Sequence, residues 1–102
     1  MPNFLKEPTS QSVLKGSAVN FECQINVAQP IYNWLKDGSN ISKGNIFPSG
    51  LATLLKIDNL EFSDSGNYSC VATDKQSGET VTKSATLTVQ GIAHFCYEIL
   101  SS

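Results

Sequence analysis

The sequence contains no arginine: its seven basic residues are all lysines, and its formal net charge is −2. Without the planar guanidinium that grips a phosphate or a guanine edge through two hydrogen bonds, nucleic acid is not an expected partner. No apolar run approaches the roughly 18 residues that a membrane-spanning helix needs, so we expect no membrane insertion. One histidine and three cysteines leave little from which to build a metal or catalytic site, and we expect no cofactor.

The length of 102 residues has room for one domain, and a hydrophobic content of 40% is typical of a folded chain rather than a disordered one. A chain of this size buries roughly two-thirds of the surface that its unfolded form exposes, so its core is thin. The cysteine count is odd, so one of the three must differ in role from the other two.

The middle of the chain alternates apolar and polar residues with a period of two, which predicts half-buried β-strands. The first clear run has four inward apolar residues: Val19, Phe21, Cys23 and Ile25. Similar runs surround Trp34, Leu55, Tyr68 and Leu87, and turn residues such as Asp37-Gly38 separate them. Glu7-Pro8 predicts a short edge strand that is broken at the proline. Seven or eight short strands at this spacing indicate a sandwich or a small barrel.

Cys23 and Cys70 both fall on inward strand positions, 47 residues apart. A disulfide between two such positions would join one sheet to the other, and the bridge could be covered by Trp34, eleven residues after Cys23. The hydroxyl of Tyr68 can turn back to the backbone near Asp64 and fix the corner where its strand begins.

One ordered set of residues resembles the immunoglobulin superfamily, in its intermediate or I-set type: Cys23, Trp34, Leu60 and the run Asp64-Ser65-Gly66-Asn67-Tyr68-Ser69-Cys70. The resemblance covers residues 4–90 and implies an all-β, two-sheet Greek-key sandwich with a cross-sheet disulfide. It implies strands A-B-E-D packed against A′-G-F-C-C′. It also implies that Asp64 pairs with a basic residue near the start of strand D, for which Lys43 is the candidate.

Other chemistry is less well supported by the residues. Cys23 and Cys70 could form a metal or redox pair, but there is no Cys-x-x-Cys and no second histidine. His94 could act as a base for Cys96 or a serine, but no acidic residue is fixed beside it to orient the ring. We therefore expect no enzymatic activity.

Two further groups have a structural and a functional interpretation. Trp34 and Tyr68 could line a ligand pocket, although we expect both in the core. The carboxylates of Asp58, Glu61 and Asp64 are close in sequence and could bind calcium, although a solvated corner with one salt bridge is the favoured interpretation.

The two ends of the chain differ from the strand pattern. We expect residues 1–3 to be a linker or an added start. In the tail, residues 91–102, an apolar stripe with helical spacing comprises Ile92, Phe95, Cys96, Ile99 and Leu100. The stripe spans residues 92–100, and nine residues are too few for a stable isolated helix in water. We therefore expect that the tail packs on a surface, is disordered or is not native sequence. Cys96 is then a free thiol, an intermolecular partner or a residue without function.

Two Asn-x-Ser sequons, at Asn40 and Asn67, are candidates for N-glycosylation if the chain is secreted. Asn40 follows the Asp37-Gly38 turn, and Asn67 alternates with inward Tyr68, so we expect both side chains to be exposed. Chance occurrence in a chain rich in asparagine, serine and threonine is the alternative.

The resemblance implies a non-enzymatic protein-interaction domain of an extracellular adhesion molecule or cell-surface receptor, with neighbouring domains in the full chain. The first candidate contact group lies around the C′–E turn and comprises Ile46, Phe47 and Leu51. The second is Leu35 with Ile41 on the C–C′ edge. The alternative is an intracellular structural domain of a giant muscle filament protein, in which the thiols stay reduced. The protein partner, homophilic or heterophilic, is not specified by the sequence.

Overall fold

The computed structural model describes residues 2–91, which form nine β-strands and one short 3₁₀ turn, Phe62–Asp64. The strands are β1 (Phe4–Lys6), β2 (Gln11–Leu14), β3 (Val19–Ile25), β4 (Pro30–Lys36), β5 (Ser39–Asn40), β6 (Asn45–Ser49), β7 (Ala52–Ile57), β8 (Gly66–Asp74) and β9 (Thr80–Gln90). The expectations for His94, for Cys96 and for the helical stripe of the tail lie outside the described residues.

The strands form two sheets. The four-stranded sheet has the order β1-β3-β7-β6, and the five-stranded sheet has the order β2-β9-β8-β4-β5. Read as A-B-E-D and A′-G-F-C-C′, these are the two sheets that the family resemblance implies, so the predicted fold class is confirmed. All pairs are antiparallel except β2 with β9, which is parallel.

The edge strand that the sequence predicts to be broken at Pro8 is present as two strands, β1 and β2, on either side of that proline. Strand β1 pairs with β3 in one sheet, and β2 pairs with β9 in the other, so the chain changes sheets across residues 7–10. Pro8 lies in this crossing and has no N–H to donate to a ladder. Ahead of β1, Asn3 exchanges hydrogen bonds with Asn26: its amide donates to the side chain, and its carbonyl accepts from the backbone N–H.

The core lies between the sheets and follows the period-two alternation. In β3, every second residue is buried, and in β9 the inward residues 85, 87 and 89 are buried while their neighbours are exposed. Leu60 is fully buried in the same apolar cluster as Trp34 and Tyr68. The Phe21 ring stacks on Tyr68, with 5.3 Å between the ring centroids.

A four-residue layer in the middle of this core crosses the gap between the sheets; we call it the central layer. The Sγ atoms of Cys23 and Cys70 are bonded at 2.07 Å. On the five-stranded sheet Trp34 is the register partner of Cys70, and on the four-stranded sheet Thr53 is the register partner of Cys23. The indole Nε1 of Trp34 donates to Thr53 Oγ1 at 3.2 Å. A covalent bond and a hydrogen bond therefore run side by side between the same two pairs of residues.

Thr53 was not singled out from the sequence, although it lies two residues before inward Leu55 on β7 and therefore shares its face. It is one of two buried polar or charged residues among residues 2–91. Its hydroxyl is the partner that a buried indole N–H needs, because an unpaired buried donor is costly.

We expect Thr53→Val to lower the free energy of unfolding by about 1–3 kcal/mol, because the shape is kept while Trp34 Nε1 loses its acceptor. The measurement is denaturant unfolding in a double-mutant cycle with Trp34→Phe, which has no indole N–H to leave unpaired. In the Trp34→Phe background, Thr53→Val should cost clearly less. Equal costs in both backgrounds would show that the Trp34–Thr53 hydrogen bond contributes nothing.

Candidate protein-interaction surface

The corner that leads into β8 is built by Tyr68. Its hydroxyl donates to the backbone carbonyl of Asp64 at 2.7 Å, within the core, after the 3₁₀ turn Phe62–Asp64 has brought that carbonyl round. Burial, together with the negative charges of Asp64 and Asp37, raises the pKa of Tyr68 to about 12. The phenol therefore stays protonated and keeps its role as a donor over the whole physiological range.

The side chain of Asp64 stabilises the same corner on its outer side. Its Oδ2 accepts from Lys43 Nζ at 2.7 Å and from the backbone N–H of Glu61 at 2.8 Å. The Lys43 ammonium also donates to the carbonyl of Asn59 at 2.9 Å. Burial by itself would raise the pKa of Asp64, but these hydrogen bonds and the charges of Lys43 and Lys36 outweigh it, so the pKa lies below its ordinary value.

Asp64 is therefore paired with a lysine at this corner, and that lysine is Lys43, the candidate partner named from the resemblance. Among residues 2–91, no group of three or more histidine, cysteine, aspartate or glutamate side chains could hold a metal ion.

Gly66 leaves room for a close approach of the Asp37 side chain. A Cβ at this position would lie 2.7 Å from one carboxylate oxygen of Asp37 and 3.1 Å from the other. That carboxylate accepts the backbone N–H of Asn67 at 2.9 Å and so anchors the hairpin between β4 and β5 to the start of β8. Asp37 and Gly38 both have positive φ, which suits a two-residue hairpin turn.

We expect Asp64→Asn to lower the free energy of unfolding at pH 7 by on the order of 1 kcal/mol. This value lies below the roughly 1.5–3 kcal/mol typical of a hydrogen bond to a charged group, because the Lys43 side chain is 39% exposed and solvent weakens the pair. The folded pKa is depressed, so this contribution is present above the ordinary carboxyl pKa of about 4 and is lost as the pH falls through and below it.

The measurement is chemical unfolding at pH 7 and at pH 3. The wild-type protein should lose more stability between these pH values than Asp64→Asn does. The exposed neighbour Asp58→Asn is the matched control and should decline as the wild type does. A decline in Asp64→Asn equal to that of the wild type would contradict this role.

A second tyrosine links the sheets at the opposite end of the sandwich. The Tyr32 hydroxyl accepts the backbone N–H of Ile25 at 3.0 Å and donates to the carbonyl of Leu51 at 2.6 Å. Burial raises the pKa of Tyr32, with the hydrogen bond from Ile25 acting in the opposite sense. No local pattern in the sequence indicates these partners of Tyr32, because both belong to the other side of the sandwich.

The turn held by Tyr32 adjoins the first predicted contact group. Ile46, Phe47 and Leu51 are 50%, 46% and 49% exposed. Ile46 and Phe47 lie on β6, which is the edge strand of the four-stranded sheet, and Leu51 lies in the turn that follows. Phe47 is the register partner of half-buried Leu54 on the outer face. Ile46 is the register partner of inward Leu55, so Ile46 and Phe47 lie on opposite faces of this edge strand. We call Ile46, Phe47 and Leu51, which are exposed along this edge, the β6 patch.

All five residues of β6 are exposed, and the strand contains Pro48. The absence of alternation explains why no periodicity marks this strand in the sequence. The sequence predicts this group around a C′–E turn. The structure instead places Ile46 and Phe47 in strand β6 and only Leu51 in a turn.

The second predicted contact group is less accessible. Leu35 is half-buried, and Ile41 packs against the core cluster. In the described part of the chain, four other large apolar residues are more than one-third exposed and were not singled out from the sequence: Leu5, Leu14, Ile31 and Phe62. The Lys15 ammonium lies 5.3 Å from the centroid of the Phe62 ring, so this ring has a partner within the chain.

We expect Phe47→Ser to lower the free energy of unfolding by no more than about 1 kcal/mol, because the ring is nearly half exposed. The matched control is Leu55→Ala on the neighbouring strand, which removes a fully buried side chain and should cost about 2–5 kcal/mol. Denaturant unfolding compares the two. If Phe47→Ser cost as much as Leu55→Ala, the ring would serve the fold rather than an interaction.

Residues 2–91 contain no helix with the length and hydropathy of a membrane-spanning segment. The Asn40 and Asn67 side chains are both exposed.

A family model described as the immunoglobulin I-set domain matches residues 2–89. Roundabout homolog 2 from Homo sapiens is 35% identical over 95 residues, which cover 92% of this chain and 7% of that protein. Muscle M-line assembly protein unc-89 from Caenorhabditis elegans is 33% identical over 89 residues, which cover 81% of this chain and 1% of that protein. The chain thus spans less than a tenth of either relative.

The fold is also similar to solved structures. A chimeric titin Z1Z2, functionalized with a KLER exogenous peptide from decorin, superposes with a TM-score of 0.80 at 29% sequence identity. The match covers 89% of this chain and 95% of that chain.

Proposed function

The chain belongs to the immunoglobulin I-set family, and we propose that it is a non-enzymatic protein-interaction domain of an extracellular adhesion molecule or receptor. The observation that carries this proposal is the Cys23–Cys70 disulfide, which lies fully buried in the central layer. Disulfides form and persist in oxidising compartments and are rare in the cytosol.

The mechanism is passive and depends on rigidity. The disulfide, the Trp34–Thr53 hydrogen bond and the Tyr32 contacts link the two sheets, so an exposed face keeps its shape without a partner. A standard interface takes about 800 Å² from each protein, which a sheet face with its adjoining loops can supply. Pre-organised surfaces lose less conformational entropy on binding.

The β6 patch is the contact surface of this proposal. It holds three large apolar side chains, each 46% to 50% exposed. Aromatic and apolar residues of this kind are enriched at the centres of protein interfaces. Another copy of the chain and a different protein both fit this surface.

The lengths of the relatives support a domain that works within a longer chain. This chain covers 7% of Roundabout homolog 2 and 1% of unc-89. We propose neighbouring domains on the same polypeptide, which would make contacts multivalent.

The second candidate function is that of an intracellular structural domain. It is favoured by the similarity to a protein named for muscle M-line assembly and to a titin structure. In that setting the two core thiols would stay reduced, and the sandwich would lose the roughly 4 kcal/mol that closing a loop of this size contributes in the chain-entropy model.

The state of the two core cysteines in protein from its own cells separates these functions. We expect alkylation before lysis to leave Cys23 and Cys70 unmodified, and mass spectrometry of the unreduced digest to recover them as one linked peptide pair. A cytosolic protein from the same sample, fully alkylated, is the control for reagent entry. Recovery of Cys23 and Cys70 in alkylated form would contradict the extracellular proposal and favour the structural one.

A further inference from the structure

Within residues 2–91, the outer face of the five-stranded sheet carries no charged side chain. Residues paired across neighbouring strands share a face, so the positions that alternate with Trp34 and Cys70 point outward. On β4 these are Ile31, Asn33 and Leu35. On β8 they are the odd-numbered residues 67–73, and on β9 the even-numbered residues 80–90. Asparagine, glutamine, serine, threonine and valine occupy all of these β8 and β9 positions.

The outer face of the other sheet differs. Lys6 Nζ and Glu22 Oε2 form an ion pair at 3.1 Å there, and Lys56 is exposed beside them. The uncharged face is thus a property of one side of the sandwich and not of the whole surface.

An uncharged sheet face with apolar residues at its middle promotes association unless something covers it. Ile31 is 52% exposed, and Leu35 and Val71 are half-buried on the same face. Their neighbours are small hydroxyl side chains that bond to one another, such as Ser69 Oγ with Ser84 Oγ at 2.8 Å. These hydroxyls supply neither charge nor bulk to keep another surface away.

Both sequons of the chain place their asparagine on this face. Asn40 on β5 is the register partner of Leu35, which in turn pairs with Ser69 on β8, and Asn67 stands two residues from Ser69. Strand spacing and rise put the two asparagines about 10 Å apart across the sheet and about 7 Å along it, or roughly 12 Å in all.

Neither asparagine is used by the fold through its side chain. Both are exposed, and within residues 2–91 their side-chain amides make no hydrogen bond. Asn26, in contrast, accepts from the backbone of Asn3 through its Oδ1. Asn33 lies on the same outer face but has leucine two residues later, so it is not a sequon.

We propose that Asn40 and Asn67 carry N-linked oligosaccharides, which together cover the outer face of the five-stranded sheet. This inference rests on the proposed extracellular function. The donor is a lipid-linked oligosaccharide pyrophosphate. The bond between the anomeric carbon and the pyrophosphate oxygen breaks, and a bond from that carbon to Nδ2 of asparagine forms. Nδ2 loses one proton, and the lipid pyrophosphate leaves with the electron pair.

The glycans limit the surface that remains for contacts with other proteins. They stand on the outer face of the five-stranded sheet, Asn40 on β5 and Asn67 on β8, whereas the β6 patch lies on the edge of the four-stranded sheet. A bulky, hydrated oligosaccharide excludes protein from the face on which it stands.

The first test is the mass of the chain secreted from cultured animal cells, before and after treatment with a peptide N-glycosidase. We expect two oligosaccharides on the wild type, one on Asn40→Gln or Asn67→Gln, and none on the double variant. Asn33→Gln is the matched control on the same face and should keep both. Ser69→Ala should lose the glycan of Asn67, whereas Ser84→Ala, which removes the same Ser69–Ser84 hydrogen bond, should keep it.

The second test is sedimentation velocity of the secreted proteins. We expect the double variant Asn40→Gln/Asn67→Gln to self-associate at concentrations where the wild type and Asn33→Gln remain monomeric. Equal behaviour of all three would overturn the covering role.

A secreted wild type with an intact Cys23–Cys70 disulfide but an unmodified Asn40 or Asn67 would overturn the proposed modification and leave the extracellular function standing. Alkylated core cysteines in protein from its own cells would overturn the extracellular function itself, whatever the secreted protein carries.

Discussion

The cross-sheet layer formed by Cys23, Cys70, Trp34 and Thr53 is the constraint on which the rest of the sandwich depends. A chain of this size has a thin core, and two sheets packed face to face could slide or separate if side-chain packing alone held them. The disulfide fixes one point of β3 opposite one point of β8. The Trp34–Thr53 hydrogen bond fixes the adjacent strands in the same register. Because each sheet is hydrogen-bonded internally, these two links set the relative position of all nine strands.

Polar contacts at the two ends of the sandwich add to the stabilisation that the central layer provides. Tyr68 and Asp64 hold the corner that enters β8, and Tyr32 holds the turn that carries Leu51. Each tyrosine hydroxyl reaches a backbone group that no strand ladder would satisfy. The Lys43–Asp64 pair differs from these contacts because it depends on ionisation. Of these three contacts, the Lys43–Asp64 pair is therefore the one that weakens in acid.

Much of this architecture could be predicted from the sequence. The alternation in β3, β8 and β9 marks their inward residues, and the spacing of Cys23, Trp34, Tyr68 and Cys70 carries the resemblance that implies the strand order. The partners of Trp34 and Tyr32 could not be predicted, because Thr53, Ile25 and Leu51 come from the opposite sheet and no local pattern records that pairing. Strand β6 could not be predicted from a period-two pattern, because every residue in it is exposed. The shared face of Asn40 and Asn67 also needed the register, since a slip of one residue would move either side chain to the other face.

The edge strand β6 has one more consequence, which concerns copies of this fold held close together. An exposed strand edge is a template on which another chain can extend the sheet. Pro48 has no N–H to offer at that edge, and the opposite sheet ends in β5, which is two residues long. Extension of a sheet by a neighbouring chain is therefore disfavoured at these two edges. Contact with another copy along this side of the sandwich is left to side chains.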